Sequence, residues 1–186
     1  PASSAEAKHV EPGHLALPSP ATRGTLSIDR REVVVVDGEV RVQLWVHNAS
    51  RKQIRTSLRM PLRGADTDTR GALETAFQNH YASLSVSHDG QQKATRTEVI
   101  DHGDATELRV VWNDTFPAHR TVQVQITYPF VYERHEVGRT DSWRFAIPGA
   151  ARGAWAGDVH YSRFKFCDRT IIRRVADFGG DTRAWN

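Results

Sequence analysis

The sequence has few of the residues that mark the commonest specialised classes of protein. It contains one cysteine, Cys167, in 186 residues, which excludes an internal disulfide and a cysteine-rich zinc site. No apolar run approaches the roughly 20 residues that a bilayer core requires. We therefore predict no disulfide framework and no transmembrane span, and we interpret Cys167 as a small buried hydrophobic residue.

Lysine is also scarce, and arginine carries most of the positive charge. The 25 basic residues include only four lysines, and the formal net charge is +3. Arginines alternate with acidic residues, as in 29–32 and 133–136, so the surface potential should be a patchwork without a continuous basic stripe. Because binding to a phosphate backbone needs several clustered cations, we expect no nucleic-acid partner.

Catalytic and cofactor signatures are absent as well. No serine stands in a Gly-x-Ser-x-Gly elbow. Asp158 and His160 share one face of a predicted strand, which suits an acid–base pair or the start of a metal site, but a surface ion pair is the simpler interpretation. His9 and His14 would have to order a Pro-containing arm to hold a metal. We predict no cofactor and no bound metal, and a hydrolase or metalloenzyme is the least favoured hypothesis.

Alternation with a period of two is the clearest pattern that the sequence does contain. The most regular example, residues 39–47, places four aliphatic side chains on one face of a strand: Val40, Val42, Leu44 and Val46. Trp45 falls on the opposite face and is predicted to be exposed. Asp37-Gly38, just before this segment, favours a type I′ turn, so we predict a hairpin of strands near 32–36 and 39–47.

Similar segments follow along the rest of the chain. A strand over 53–60 should stop at Pro61, and two strands should flank His88-Asp89-Gly90, the second polar enough for a sheet edge. The strands near 107–112 and 121–128 are expected to pair through the loop between them. Only 71–81 predicts a helix, with a possible cap from Thr69.

About nine or ten short strands separated by turns favour two packed sheets. We therefore expect an all-β protein, an immunoglobulin-like antiparallel β-sandwich with one short helix. Residues 25–186 should form the sandwich. Residues 1–24, rich in proline and small residues, should form an extended N-terminal arm of the kind that follows a cleaved export signal. Trp112 and Trp143 are the tryptophans expected in the core.

Three passages, residues 38–62, 110–130 and 146–166, resemble a known group of proteins. Together they are similar to the N-terminal β-sandwich of an uncharacterised family of exported bacterial proteins, a domain of unknown function. The matching positions are Asn48, Ser50, Pro61, Trp112, Phe116, Pro117, Val122, Val124, Tyr128, Trp155 and Gly157. The resemblance implies export and a sandwich fold, and it carries no catalytic residues to this chain.

Aromatic residues close to arginines are the strongest functional hint, because both residue types anchor binding interfaces. The candidate binding residues are Trp45, Arg41, Tyr132, Arg134, Trp155, Tyr161 and Arg163. Our leading hypothesis is an exported, envelope-associated module, periplasmic or extracellular, that binds another protein in a structural or accessory role. A narrower version is an immunity-type inhibitor of a secreted toxin. The alternative is a carbohydrate-binding sandwich that stacks a glycan on Trp45 or Trp155.

Overall fold

The structure is a computed structural model. It describes residues 11–12, 17–18, 22, 24–63, 70–101, 106–130, 133–137, 140–144, 155–156 and 161–167. The strands are β1 (Glu11–Pro12), β2 (Leu17–Pro18), β3 (Leu26–Val36), β4 (Glu39–Asn48), β5 (Ile54–Arg63), β6 (Ser85–His88), β7 (Gln91–Lys93), β8 (Thr95–Asp101), β9 (Thr106–Phe116), β10 (Arg120–Pro129), β11 (Glu133–Val137), β12 (Thr140–Arg144) and β13 (Tyr161–Phe166), and helix α1 covers Arg70–Tyr81.

Two sheets form the body of the protein. In the five-stranded sheet β5 pairs with the short β1 and β2 on one side and with β9 on the other, and β8 follows β9. The six-stranded sheet has the order β13-β3-β4-β10-β6-β7, in which β13 runs parallel to β3 and the other pairs are antiparallel. A separate hairpin joins β11 and β12. Within the described residues, the predicted all-β sandwich with one short helix is confirmed.

The predicted hairpin between β3 and β4 is also confirmed. Asp37 and Gly38 have φ angles of 51° and 76°, which are the left-handed conformations that a type I′ turn requires at both central positions. The four aliphatic residues of β4 are at most 2% exposed: Val40, Val42, Leu44 and Val46. The period-two pattern therefore assigns the correct face of this strand to the core.

The core lies between the two sheets and is a single hydrophobic cluster. It includes Leu58 and Trp112 from the five-stranded sheet and Leu44 and Ile126 from the six-stranded sheet, all fully buried. The prediction for Trp112 is confirmed, whereas the side chain of Trp143 in β12 lies outside the described part. Burial of so many aliphatic and aromatic groups is the main force that holds the sheets together.

The prediction that β9 pairs with β10 is wrong. β9 pairs with β5 and β8, while β10 pairs with β4 and β6. Residues 117–119 cross from one sheet to the other, and His119 adopts a φ of 54° in this crossing. Each of these strands has one apolar face. That face is buried equally well whether β9 and β10 face each other across the core or pair side by side in one sheet.

Asn48 holds together the loops that follow β4 and β9. Its fully buried side-chain amide donates to the backbone carbonyls of Phe116 and Lys52, both at 2.9 Å. Its Oδ1 accepts hydrogen bonds from the backbone amide and the hydroxyl of Ser50. One side chain thus connects the end of β4 to the crossing that follows β9.

The polar segment predicted as one strand after Gly90 is two strands in different sheets. The chain turns at Asp89 and Gly90, with φ angles of 46° and 80°, forms β7 beside β6, and switches sheets at Ala94 to form β8 beside β9. Among the described strands, β7 and β8 each lie at the edge of a sheet. The prediction that this segment lies at a sheet edge is therefore confirmed, whereas the prediction that it forms one strand is wrong.

β5 does not stop at Pro61 as predicted, because the strand continues to Arg63. Pro61 lies opposite Arg109 of β9. On the other side of β5, β2 pairs at 58–59 and β1 pairs at 62–63, so Pro61 falls between two short pairings, at a position where its missing N–H is tolerated. These two short strands belong to the segment predicted as an extended arm.

Helix α1 confirms the single predicted helix, and its C-terminal end covers one end of the core. Tyr81 is buried, and its ring lies 6.3 Å from that of Phe77 and 5.9 Å from that of Tyr128. Thr69, the predicted cap, is outside the described residues. Within the described chain no helix is long and apolar enough to cross a membrane.

Cys167 does not have the buried side chain that we predicted. It is exposed, although its backbone amide donates to the carbonyl of Val35 at 2.7 Å. The residue follows directly after β13, so its amide prolongs the pairing with β3 while its thiol lies outside the core.

Candidate functional site

The side of the six-stranded sheet that points away from the core carries most of the described candidate binding residues. We call it the outer face and define it by Arg30, Glu32, Arg41, Gln43, Trp45, Gln125, Arg163 and Lys165. One row of the sheet register joins Arg163, Glu32, Gln43 and Gln125, and the next row joins Arg30 and Trp45. Since side chains alternate along a strand, these positions lie between the buried aliphatic residues.

Arg30 and Trp45 form the centre of the outer face. The guanidinium carbon of Arg30 lies 4.6 Å from the centre of the Trp45 ring, a cation–π arrangement. A register shift between Ile28 and Arg30 brings Arg30 opposite Trp45. Trp45 therefore lies on the predicted face of β4, but it is half-buried.

Glu32 links this pair to β13. Arg30 Nη2 donates to Glu32 Oε1 at 2.5 Å, and Glu32 lies opposite Arg163 in the register. The hydrogen bond from Arg30 lowers the pKa of Glu32, and the charges of Arg163 and Lys165 act in the same direction, against the opposing effect of burial. Three cations thus surround one carboxylate, which leaves this side of the outer face positive.

The middle of the outer face is polar and uncharged. Gln43 Nε2 donates to Gln125 Oε1 at 3.0 Å, and Gln125 Nε2 donates to Thr127 Oγ1 at 3.3 Å. Farther along β4, Arg41 and Glu39 form an exposed ion pair at 3.1 Å. The outer face therefore combines one aromatic anchor, a row of amides and an excess of arginine.

The structure brings together three of the seven candidate residues, Trp45, Arg41 and Arg163. Tyr161 lies opposite Arg30 in the register between β13 and β3, and only its backbone is described. Arg134 belongs to the separate β11–β12 hairpin, where it lies opposite Trp143. Tyr132 is outside the described residues, as are Asp158, His160, His9 and His14.

Trp155 is not an exposed binding residue, and that prediction is wrong. Its side chain is 5% exposed and belongs to the hydrophobic core. The neighbouring residue, Ala156, donates its backbone N–H to the carbonyl of Leu26 at 2.8 Å. This hydrogen bond anchors the segment against β3 and holds Trp155 over the core.

A buried polar cluster that was not predicted from the sequence lies between the sheets. The Asp114 side chain is fully buried, and its Oδ1 accepts from His88 Nδ1 at 2.5 Å and from the Thr115 amide at 2.9 Å. Lys93 Nζ lies 3.3 Å from the same oxygen. Within the described chain, Asp114 Oδ2 has no protein hydrogen-bond partner.

This Asp114 cluster connects β9 of one sheet to β6 and β7 of the other. His88 also lies near Asp89 and against the Phe116 ring, and the described residues contain no group of three or more His, Cys, Asp or Glu suited to a metal. We interpret the cluster as an inter-sheet bridge. Its sequence signal is that Asp114 continues the alternation of Leu108, Val110 and Trp112, which puts a carboxylate on the core face.

Comparisons with known proteins give little further information. No family model matches the sequence, and no curated protein matches it. One similar solved structure is that of a Legionella pneumophila protein proposed to bind a nutrient; it is 17% identical, with a TM-score of 0.46. The alignment covers 67% of this chain and 46% of that chain, so this chain spans less than half of the Legionella protein.

Proposed function

We propose that the protein is a non-catalytic binding module that docks a protein partner on the outer face, and that the partner presents an acidic segment. The observation that carries the proposal is the Arg30–Trp45 stack beside Glu32, Arg163 and Lys165. Tryptophan and arginine are the residue types that most often dominate binding energy at protein interfaces. The excess of cations there suits an acidic complement.

The same contacts favour a protein over a glycan. Sugar stacking needs an open aromatic ring, whereas the Arg30 guanidinium lies over the Trp45 ring and Trp155 is buried. The protein-binding hypothesis therefore has more support than the carbohydrate-binding one.

The proposal includes a location outside the cytoplasm, in the periplasm or beyond. Its support is the composition of residues 1–24 and the resemblance to exported bacterial proteins. Fractionation of cells that produce the full-length precursor tests it, and recovery of the protein only from the cytoplasm would refute export. Within this proposal, an immunity-type inhibitor is the version in which the partner is a toxin encoded by a neighbouring gene.

Site-specific photo-cross-linking in the producing cells tests the binding face. A photoreactive residue replaces Gln43 on the outer face, and the matched control replaces Asn113, which is exposed on the opposite sheet. We expect a discrete protein adduct from position 43 and none from position 113. Equal adducts at both positions, or none at position 43, would contradict the proposal.

The partner protein identified by cross-linking, once purified, should bind the wild-type chain in calorimetry. Its affinity should fall at high salt. We expect Trp45→Ala and Arg163→Glu each to weaken binding by about tenfold or more. Arg55→Ala, an exposed arginine on the other sheet, should leave the affinity unchanged. If the tryptophan fluorescence instead responds to wall oligosaccharides and the variants bind the protein normally, the carbohydrate hypothesis replaces this one.

A further inference from the structure

β8 is an edge strand, and the charged residues Arg96, Glu98 and Asp101 are the part of the usual protection against strand pairing that it carries. Among the described strands it has β9 on one side and none on the other. Thr95, Arg96 and Thr97 are exposed, and the strand contains no proline, glycine or lysine. Four of its seven residues are β-branched, which favours an extended conformation.

The sequence of β8 is complementary to itself in one antiparallel register. When Thr97 lies opposite Thr97 of a second copy, Arg96 lies opposite Glu98 and Glu98 lies opposite Arg96. Thr95 then lies opposite Val99. Opposite charges and paired threonines directly across an antiparallel ladder are both stabilising. The two-fold axis produces the Arg96–Glu98 pair twice, and the Thr97 pair lies on the axis and occurs once.

The structure orients the charged residues suitably for this pairing. Arg96 and Glu98 lie opposite Val111 and Arg109 of β9, on the side of the sheet away from the core, and they already form an ion pair at 2.9 Å within one chain. Their side chains are 53% and 40% exposed, so both are accessible to a second copy. Thr95 and Thr97 point to the core side, opposite Trp112 and Val110, yet both are exposed.

We infer that two copies of this chain associate through antiparallel pairing of their β8 strands, in the register centred on Thr97. The five-stranded sheets of both copies then form one continuous sheet across a two-fold axis. Glu98 lies between Arg109 of its own chain and Arg96 of the second copy. This interface uses the five-stranded sheet, so it is independent of the outer face and of the proposed binding function.

A charge exchange tests both the interface and its register. Sedimentation velocity over a concentration series should show reversible dimerisation of the wild-type chain. Arg96→Glu and Glu98→Arg should each weaken dimerisation by roughly tenfold or more, because each replaces two attractive pairs by two repulsive ones. The double variant Arg96→Glu/Glu98→Arg should restore the wild-type dissociation constant.

Three outcomes would overturn the inference: a wild-type chain that stays monomeric throughout the series, a dimer that neither single substitution weakens, or a double variant that stays as weak as the single ones. Circular dichroism and the unfolding midpoint show whether each variant is folded. Arg55→Glu, an exposed charge reversal on β5, is the matched control and should leave dimerisation unchanged.

A disulfide gives an independent measurement of the register. In a Cys167→Ser background, Thr97→Cys places a thiol opposite its own copy across the two-fold axis, within the distance that a disulfide spans. Mild oxidation should yield a covalent dimer that runs as one species on a non-reducing gel. Arg55→Cys in the same background should remain monomeric, and equal dimer yields from the two variants would overturn the inference.

Discussion

The two faces of β4 are made by alternate residues of the same strand, but they serve different purposes. Val42 and Leu44 are fully buried, whereas Gln43 and Arg41 form polar contacts on the outer face. The inner face therefore stabilises the sandwich, and the outer face carries the binding surface that we propose. Substitutions on the two faces should accordingly differ in what they change: stability on the inside and binding on the outside.

The largest difference should come from Leu44→Ala compared with Arg41→Ala. Leu44 is fully buried in the core, so its truncation removes transfer free energy and leaves a cavity, at a cost of about 2 to 5 kcal/mol. Arg41 is exposed, and its loss should change the free energy of unfolding by no more than about 0.5 kcal/mol. Denaturant midpoints measure both, and equal midpoints would mean that the faces of β4 are assigned wrongly.

Asp114→Asn tests whether a polar residue on the inner side of the sandwich stabilises it as the aliphatic residues do. The substitution keeps the shape of the side chain but removes the charge that pairs with His88 and Lys93. Since Lys93 retains some exposure to water, we expect a loss of about 3 kcal/mol, the lower end for a broken buried pair. Asn113→Ala on the exposed face of the same strand is the control, and a loss as large from Asn113 would refute the bridge.

Asn48→Ala should destabilise the protein by about 1 to 3 kcal/mol, because the buried carbonyl of Phe116 loses its donor. Ser50→Ala removes the hydroxyl that donates to Asn48 and leaves the bond to Phe116 in place, so its effect should be smaller. Chemical denaturation of the two variants provides the comparison. If Ser50→Ala lowers the free energy of unfolding as much as Asn48→Ala does, the hydrogen bond from Asn48 to Phe116 is not the source of the stabilisation.

Glu32→Gln should have the smallest effect, and one that depends on pH. Folding lowers the pKa of Glu32 from its ordinary value of 4.5 because of Arg30, so the ionised form stabilises the folded state. This contribution is complete above pH 4.5 and is lost as the pH falls through the lowered pKa. As the pH is lowered through this range, the free energy of unfolding should therefore fall more steeply for the wild type than for Glu32→Gln. Parallel curves for the two proteins would contradict the prediction.

The sequence predicted the parts of the fold that depend on neighbouring residues. Asp37-Gly38 and the alternation after it were enough for the β3–β4 hairpin, because both strands and the turn are local. The pairing of β9 was not predictable in this way, because an apolar face does not specify whether the next strand lies beside it or across the core. Whether β10 lies beside β9 or across the core from it is decided by pairing with strands distant in the sequence.

The candidate site was predictable to a similar extent. The alternation placed Trp45 and Arg41 on the outer face. The contact of Arg30 with Trp45 depends on an irregularity in β3, and the approach of Arg163 to Glu32 depends on a parallel pairing with a distant strand. Neither feature has a short sequence signal, and the burial of Trp155 has none either.

The parallel pairing of β13 with β3 also affects the order in which the protein folds. It joins position 30 to position 161, a sequence separation of 161 − 30 = 131, whereas the β3–β4 hairpin closes around a two-residue turn. Local contacts form first because closing a long loop costs entropy before any contact compensates for it. During synthesis β3, with its run of four valines at 33–36, therefore keeps one edge unpaired until residue 166 has been added, and over that period this edge is open to misassembly.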